Sequence, residues 1–235
     1  MVFDVDATAL VEALTVAGTQ DRDVTVIPMG DSWRIAQRSS DSVAMVDLTL
    51  KGVCKPVDGL PTEPFGIRID DWQKALKGVR TARVTMTPGR VRIVAGSLGT
   101  TLPLYPCDQA PRTPALSLDA EVVMEVTDLL RLTRATPARS ASAYRFTVTP
   151  EGLTVEAHDE TGLGVDITVT AADCVSCTGS ASAAYPWTRW ADMVRALPAD
   201  SIISLSLSDD YPARVELSGE GWEGVWMVAP LITED

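Results

Sequence analysis

Histidine is almost absent from this 235-residue chain, and cysteine is scarce. With His158 as its one histidine, the chain cannot form a histidine-rich metal site and has a single possible base for a Ser-His-Asp triad. Of the four cysteines, only Cys174 and Cys177 are closely spaced, in one CxxC without the second pair that a zinc site needs. We expect reduced thiols at a strand end or in a loop, with a disulfide as the less favoured alternative, and neither a metal nor a cofactor.

Other signatures are missing too. There is no Walker A or GxGxxG motif, and no apolar run approaches the ~18 residues that a membrane span needs. The segment from Met1 to Asp6 is acidic and lacks the basic region of a signal peptide. We therefore expect a protein that is not an enzyme and that works in the cytoplasm.

Positive charge is in deficit, with 20 Lys and Arg against 32 Asp and Glu and a net charge of −12. This balance excludes a nucleic-acid binder that is basic throughout, but not a local basic face.

The sequence repeats itself. A strand, an amphipathic helix and three strands within residues 2–50 have counterparts within 122–169, and the helix and strands of 69–94 have counterparts within 188–217. Equivalent residues lie 118 to 120 positions apart, as in Ile35 with Val155 and Trp72 with Trp190. Alternating apolar and polar residues indicate sheets with one buried face. We predict an α+β fold of two similar domains, each made of two β-α-β-β-β units.

The two copies are separated by residues 105–118. Three prolines fall within nine residues there (Pro106, Pro111 and Pro114), which excludes a helix or a central strand. We predict domains at 1–104 and 119–235 joined by an extended connecting loop, with a passive linker as the alternative.

Four local motifs occur in order along this duplicated chain. They are Ser40–Leu50 (SDSVAMVDLTL), Leu102–Leu104 leading into the prolines of the connecting loop, Leu205–Pro212 (LSLSDDYP) and Val225–Asp235 (VWMVAPLITED). Each motif alone is weak, but the ordered set resembles the sliding clamps of the proliferating cell nuclear antigen (PCNA) family of archaea and eukaryotes.

The resemblance implies a DNA clamp fold, in which three two-domain subunits join head to tail, sheets lie outside and helices line a hole for duplex DNA. The implied function is a processivity factor in DNA replication and repair. Its partners would be double-stranded DNA, bound without sequence preference, and a polymerase, flap nuclease, ligase and clamp loader bound through short peptide motifs. The implied form is a homotrimer, near the nucleoid or in the nucleus.

A closed head-to-tail ring would pair two strand edges, which also removes an aggregation hazard. By motif matching these edges are the strands around 98–104 of one subunit and 164–169 of the next. The implied interface residues are Thr100, Leu102, Leu104, Val165, Ile167 and Val169.

Basic residues are concentrated around three of the four predicted helices. The implied DNA-binding residues are Lys74, Lys77, Arg80, Arg131, Arg134, Arg139, Arg189 and Arg195. The spacing of these basic residues alone favours helix faces that are simply solvated. Only the resemblance to the family assigns the residues to DNA binding. The first helix departs from the family pattern. Where the family usually has lysines, this sequence has Thr8, Ala9, Glu12 and Thr15.

A hydrophobic pocket for partner peptides is also implied. Its matched residues are Val43, Met45, Pro111, Leu116, Pro212, Met227, Ala229, Pro230, Leu231 and Ile232. Methionines and a mobile rim suit such a site, although ordinary core is the alternative for some members. Arg38, Ser42, Met227 and Leu231 depart from the usual family residues.

Two other classes of protein stay open. One is a clamp-like subunit of a heterotrimer, or a monomeric clamp-like regulator that binds partners without encircling DNA. The other is a β-rich enzyme. The only residue that suggests it is His158, which lies beside acidic residues, and we expect His158 to be an ordinary histidine in a surface loop.

Overall fold

The computed structural model describes residues 1–107, 110–136, 143–158 and 164–231. The chain forms two compact units, one of Met1–Thr113 with Gly219–Gly224 and one of Pro114–Ser218 with Val225–Asp235. Their boundary falls inside the segment predicted as a connecting loop, and the limits 1–104 and 119–235 stay predictions. In the described part of the chain, no helix has the length and apolar character required to cross a membrane.

The described residues of the first unit form two helices and nine complete strands. In chain order they are β1 (Val2–Asp6), α1 (Ala7–Ala17), β2 (Asp23–Met29), β3 (Ser32–Arg38), β4 (Ala44–Leu50), β5 (Cys54–Asp58), β6 (Phe65–Arg68), α2 (Ile69–Leu76), β7 (Thr81–Thr87), β8 (Arg90–Ala95) and β9 (Leu98–Pro103). The strands pair antiparallel in the orders β5-β1-β7-β8-β9 and β4-β3-β2-β6.

Alternation along the strands places one face of each sheet in the core of this unit. In β8, Val91, Ile93 and Ala95 are buried while the residues between them are exposed. Trp33 lies at the centre of the core, with edge-to-face contacts to Phe3, Phe65 and Trp72 at ring-centroid distances of 5.5–6.1 Å. Such contacts add to the stabilisation that burial of these large rings provides.

The second unit has the same order of elements. They are β10 (Ala120–Glu125), α3 (Thr127–Ala135), β11 (Ala143–Thr149), β12 (Gly152–His158), β13 (Gly164–Thr170), β14 (Ser176–Thr178), β15 (Ala181–Pro186), α4 (Trp187–Ala196), β16 (Ile202–Leu207), β17 (Ala213–Gly219) and β18 (Trp222–Val228). Residues 222–224 of β18 belong to the first unit and residues 225–228 to the second.

Antiparallel sheets again enclose an aromatic core in the second unit. The strand orders are β14-β10-β16-β17 and β13-β12-β11-β15. Trp190 of α4 is fully buried among Phe146, Tyr185 and Trp226, with ring-centroid distances of 4.2, 6.1 and 5.2 Å.

The predicted α+β class and the repeated β-α-β-β-β pattern are confirmed. The 118–120 offset matches β3 with β12, β4 with β13 and α2 with α4. The sequence analysis left out β5, β6, β14, β15 and β18, none of which shows a sustained alternation of apolar and polar residues. For example, β5 contains Pro56 and has four exposed residues of five, so it shows no alternation.

The four cysteines form no disulfide. Cys177 lies in β14 with its Sγ 2.9 Å from the carbonyl oxygen of Thr149, and Cys174 lies in the turn before that strand. Cys54 is buried at the start of β5, and this burial, together with the charge of Asp31, raises the pKa of its thiol to about 12.

Because only the thiolate is nucleophilic, the raised pKa predicts that Cys54 resists alkylation in the native protein. At pH 8 we expect Cys107 to react with iodoacetamide at least ten times faster than Cys54, a margin set by thiolate fraction and access. Peptide mass spectrometry after timed quenching measures both sites. The same reaction in 6 M guanidinium should erase the difference, and equal native rates would contradict the burial of Cys54.

Candidate functional site

The two helices of the first unit lie side by side. Gln73 Nε2 of α2 donates to Thr15 Oγ1 of α1 at 2.9 Å. The α2 helix buries Ile69, Trp72, Ala75 and Leu76 against its own unit. This packing leaves the opposite face of α2 to solvent.

The solvent face of α2 carries the predicted cations. Lys74 is exposed in its last turn, Lys77 follows directly as the C-cap residue, and Arg80 is exposed just beyond. Among the described residues, no carboxylate lies within 4 Å of these three side chains. Their charges are therefore available to an external anion.

The α1 helix contributes no cation beside them. Its N-cap Asp6 accepts hydrogen bonds from the backbone N–H groups of Thr8 and Ala9 at 3.0 and 3.1 Å. Thr8 and Thr15 are exposed, and nearby Arg22 pairs with Asp70 at 3.0 Å. The basic surface of this unit's helices is thus confined to the α2 side.

In the second unit, α3 and α4 also lie side by side, joined by a hydrogen bond of 3.3 Å from Arg195 Nη2 to the carbonyl oxygen of Thr133. Arg195 also pairs with Asp192 at 3.7 Å and lies 5.5 Å from the ring centroid of Trp187. Arg131 pairs with Asp128 at 3.0 Å. These ion pairs are exposed and therefore weak, so either arginine can exchange its carboxylate for another anion.

The remaining predicted cations differ in their surroundings. Arg134 is exposed in the last turn of α3, with no carboxylate within 4 Å among the described residues. Arg189 is half-buried near the start of α4 and has an interaction partner. Arg139 lies outside the described residues. The assignment of all eight cations to DNA stays a prediction.

The predicted interface strands are free edges of their sheets. Within the described part of the chain, β9 of the first unit pairs only with β8, and β13 of the second unit pairs only with β12. The predicted interface residues point toward the core side of each edge, with Val169 buried and the others half-buried (Thr100, Leu102, Leu104, Val165 and Ile167). Both edges therefore offer unpaired backbone groups to another strand.

The first unit contains three of the residues predicted for the peptide pocket. Val43 is half-buried just before β4, Met45 is 9% exposed within β4, and Pro111 is half-buried in the connecting loop. Met45 therefore contributes mainly to the core of its unit.

In the second unit, strand β15 is hydrogen-bonded to two segments that contain predicted pocket residues, the loop before β17 and the segment after β18. The carbonyl oxygen of Ala184 accepts a 2.7 Å hydrogen bond from the backbone N–H of Leu231, and Tyr185 Oη donates to the carbonyl oxygen of Tyr211 at 3.0 Å. Leu231 is 37% and Tyr211 45% exposed. The loop before β17 and the segment after β18 are thus fixed to adjacent residues of one strand.

The other predicted pocket residues of this unit are more enclosed. Pro212, Ala229, Pro230 and Leu116 are half-buried, whereas Met227 is 4% exposed and belongs to the core. Ile232 lies outside the described residues. Sequence analysis missed Tyr211, although an aromatic residue beside a predicted pocket proline is a usable signal for a binding surface.

Sequence analysis also missed a polar cluster that anchors the connecting loop. Arg34 of β3 binds Asp47 of β4 through Nε and Nη2, each at 2.8 Å from a carboxylate oxygen. Arg34 Nη2 also donates to the carbonyl oxygen of Pro111 at 3.3 Å, and Thr113 Oγ1 donates to Asp47. Arg34 and Asp47 are separated by 13 residues in the sequence, and this spacing alone does not indicate a contact.

Comparison with known proteins gives a result at the level of structure only. No protein-family model matches the chain, and no curated protein sequence matches it significantly. Solved PCNA structures do match over nearly the whole chain. The PCNA of A. fulgidus, solved with the C-terminal region of FEN-1 bound, is 16% identical with a TM-score of 0.87, and all of both chains is covered.

Two further structures agree. PCNA from Thermococcus kodakaraensis is 18% identical with a TM-score of 0.84, covering 97% of this chain and all of that one. A chain of the PCNA2-PCNA3 complex of Sulfolobus tokodaii is 14% identical with a TM-score of 0.81, covering 98% of this chain and 99% of that one. At these identities the likeness establishes the fold, and this chain has the fold of the PCNA sliding clamps.

Proposed function

We propose that this protein is a DNA sliding clamp, a processivity factor that encircles duplex DNA as a homotrimer in replication and repair. The observation that carries the proposal is the match of the whole chain to PCNA structures at TM-scores up to 0.87. The clamp acts as a scaffold without catalysing a reaction, in the cytoplasm beside the nucleoid or in the nucleus.

The surfaces described above support three parts of this proposal, which are ring closure, contact with DNA and binding of partner peptides. The free edges β9 and β13 are suited to head-to-tail pairing with further copies of the chain, which closes a ring when the rotation per subunit allows. Exposed Lys74, Lys77 and Arg134 supply sequence-independent contacts to phosphates. The FEN-1 segment bound to the A. fulgidus PCNA supports a peptide-binding role, which we assign to the surface near Leu231.

A second candidate is a clamp-like subunit of a heterotrimer, or a monomeric regulator that binds partner proteins without encircling DNA. The absence of cations from α1 favours it, and the PCNA2-PCNA3 complex is a heteromeric example of the same fold. Solution mass separates the candidates. A homotrimer of 25.1 kDa chains has a mass of roughly 75 kDa, whereas a stable 25.1 kDa species favours the second candidate.

Changing Ile167 to Lys in β13 should prevent ring closure, because a charge on the core side of this edge is not compensated when the strand pairs. Light scattering behind size exclusion, over a concentration series, should show a shift from trimer to monomer. Ile167→Val is the matched control and should stay trimeric. A folded Ile167→Lys variant, verified by circular dichroism, that keeps the wild-type mass would contradict the interface.

The double variant Lys77→Glu, Arg134→Glu should be retained poorly on circular DNA while its subunit assembly is unchanged. Loss of two phosphate contacts should also reduce the slope of log affinity against log salt by about 1.8, at roughly 0.9 per contact. The matched control is Arg90→Glu, Arg92→Glu on the exposed side of β8, which makes the same change of charge away from the helices. Equal retention of the two double variants would refute a DNA-facing helix surface.

Ala229→Glu with Pro230→Glu should abolish binding of a synthetic peptide from the C-terminal region of an archaeal FEN-1. The two carboxylates would be buried against an apolar ligand without partners. Isothermal titration calorimetry measures the affinity, and thermal unfolding checks the fold. The control is Pro198→Glu with Ala199→Glu, an equivalent pair in the exposed turn after α4, and unaltered affinity in the first variant would discard the pocket.

A further inference from the structure

The part of the connecting loop that belongs to the first unit, up to Thr113, is attached to that unit at two places among the described residues. At its start, Tyr105 and Gly66 exchange backbone hydrogen bonds of 2.9 and 3.0 Å, and the ring of Tyr105 lies 5.9 Å from the guanidinium of Arg68. A side chain at position 66 would press against the carbonyl oxygen of Tyr105, because a Cβ there would lie 3.0 Å from it. This first attachment is a backbone bridge, and glycine makes room for it.

The second attachment is made by side chains alone. Both carboxylate oxygens of Asp47 bind Arg34, and the same carboxylate accepts the hydroxyl proton of Thr113. The guanidinium reaches on to the carbonyl oxygen of Pro111. One ion pair therefore holds both ends of the Pro111–Thr113 segment. Asp47 accepts the hydrogen bond from Thr113, and Arg34 donates the hydrogen bond to Pro111.

The surroundings of Asp47 strengthen this attachment. Its side chain is 16% exposed and that of Arg34 is 30% exposed, so water screens the pair less than it screens the other ion pairs in the first unit. The hydrogen bond with Asp47 raises the pKa of the Arg34 guanidinium further. The backbone of Asp47 also packs closely against Gly224, where a Cβ would lie only 2.3 Å from the carbonyl oxygen of Asp47.

We propose that the Arg34–Asp47 pair is a latch that fixes the Pro111–Thr113 segment to β3 and β4, and so positions the connecting loop for partner peptides. The part concerning peptides rests on the proposed function. Arg34 and Asp47 are positioning residues, since they act through the loop and need not touch the peptide.

Charge and hydrogen bonding at Asp47 control the latch. Replacing Asp47 with Asn keeps the shape of the side chain but removes the charge that holds the guanidinium and replaces one acceptor oxygen with a donor. Arg34 then has no carboxylate, and both contacts to the loop weaken together. Thr113→Val removes a single contact and should release the loop less.

Limited trypsin digestion tests the latch directly, because Arg112 is exposed between the two latched residues and its peptide bond to Thr113 is cleaved only when the segment leaves the sheet. We expect Asp47→Asn to be cut after Arg112 about tenfold faster than the wild type, the effect of losing one hydrogen bond to a charged group. Thr113→Val should show a smaller increase. Cleavage is followed by mass spectrometry at low protease concentration.

The matched control is Asp4→Asn. It breaks the Arg83–Asp4 pair, which is also bidentate, at 2.8 and 3.1 Å, and which joins β1 to β7 without touching the loop. An unchanged cleavage rate in Asp47→Asn, or an equal increase in Asp4→Asn, overturns the latch. Global destabilisation would lower the melting temperature and raise cleavage at every site. Local release of the loop would leave the melting temperature unchanged and raise cleavage after Arg112 alone.

Calorimetry with the FEN-1 peptide then tests the consequence for binding. Weaker affinity in Asp47→Asn, with wild-type affinity in Asp4→Asn, supports the positioning role. Faster cleavage with unchanged peptide affinity would refute the positioning role, but it would still support the attachment of the loop by the Arg34–Asp47 pair. A wild-type protein that binds no such peptide contradicts the proposed peptide-binding function, whereas the trypsin result still decides whether the latch exists.

Discussion

Each unit depends on the burial of one tryptophan from its second helix. Trp72 of α2 and Trp190 of α4 are fully buried, at equivalent positions of the two copies, and each contacts aromatic side chains from the strands of its unit. Burial of so large a ring contributes more stabilisation than any other single contact of a short helix. It also fixes the rotation of the helix about its axis. The face opposite the tryptophan must then meet solvent, and this face carries Lys74 in α2 and Arg195 in α4.

This constraint explains why the fold could be predicted from the sequence. The buried face of each strand repeats every two residues and that of each helix every three or four, so Ile35 and Trp72 were placed correctly from pattern alone. The duplication added a second test, since equivalent residues had to keep the same offset. Of the strands that were missed, β5 and β14 bury few side chains and leave little trace in a single sequence. The strands β6 and β15 bury most of their residues but do not alternate apolar with polar residues.

The candidate sites were less predictable for a related reason. Exposed Lys77 and Arg134 follow from helix geometry, because their positions relative to the buried face fix their exposure. The Arg34–Asp47 contact is instead a diagonal one between β3 and β4, because Arg34 lies opposite Thr49 and Asp47 opposite Ala36. It also depends on a loop that returns to the same surface. A charged residue on a strand has several possible partners, and only the register of the sheet selects one.

For the ring proposed above, the distribution of charge is consistent with retention on DNA by topology more than by affinity. The chain carries a net charge of −12, and in its described part only four of the predicted DNA-binding cations, Lys74, Lys77, Arg80 and Arg134, are exposed without a carboxylate within 4 Å. Few phosphate contacts give weak binding with a shallow dependence on salt. A protein that had to hold DNA by these contacts alone would dissociate readily. For a closed ring, the same weak contacts are an advantage because they let it slide, and the acidic remainder of the surface disfavours binding of DNA elsewhere.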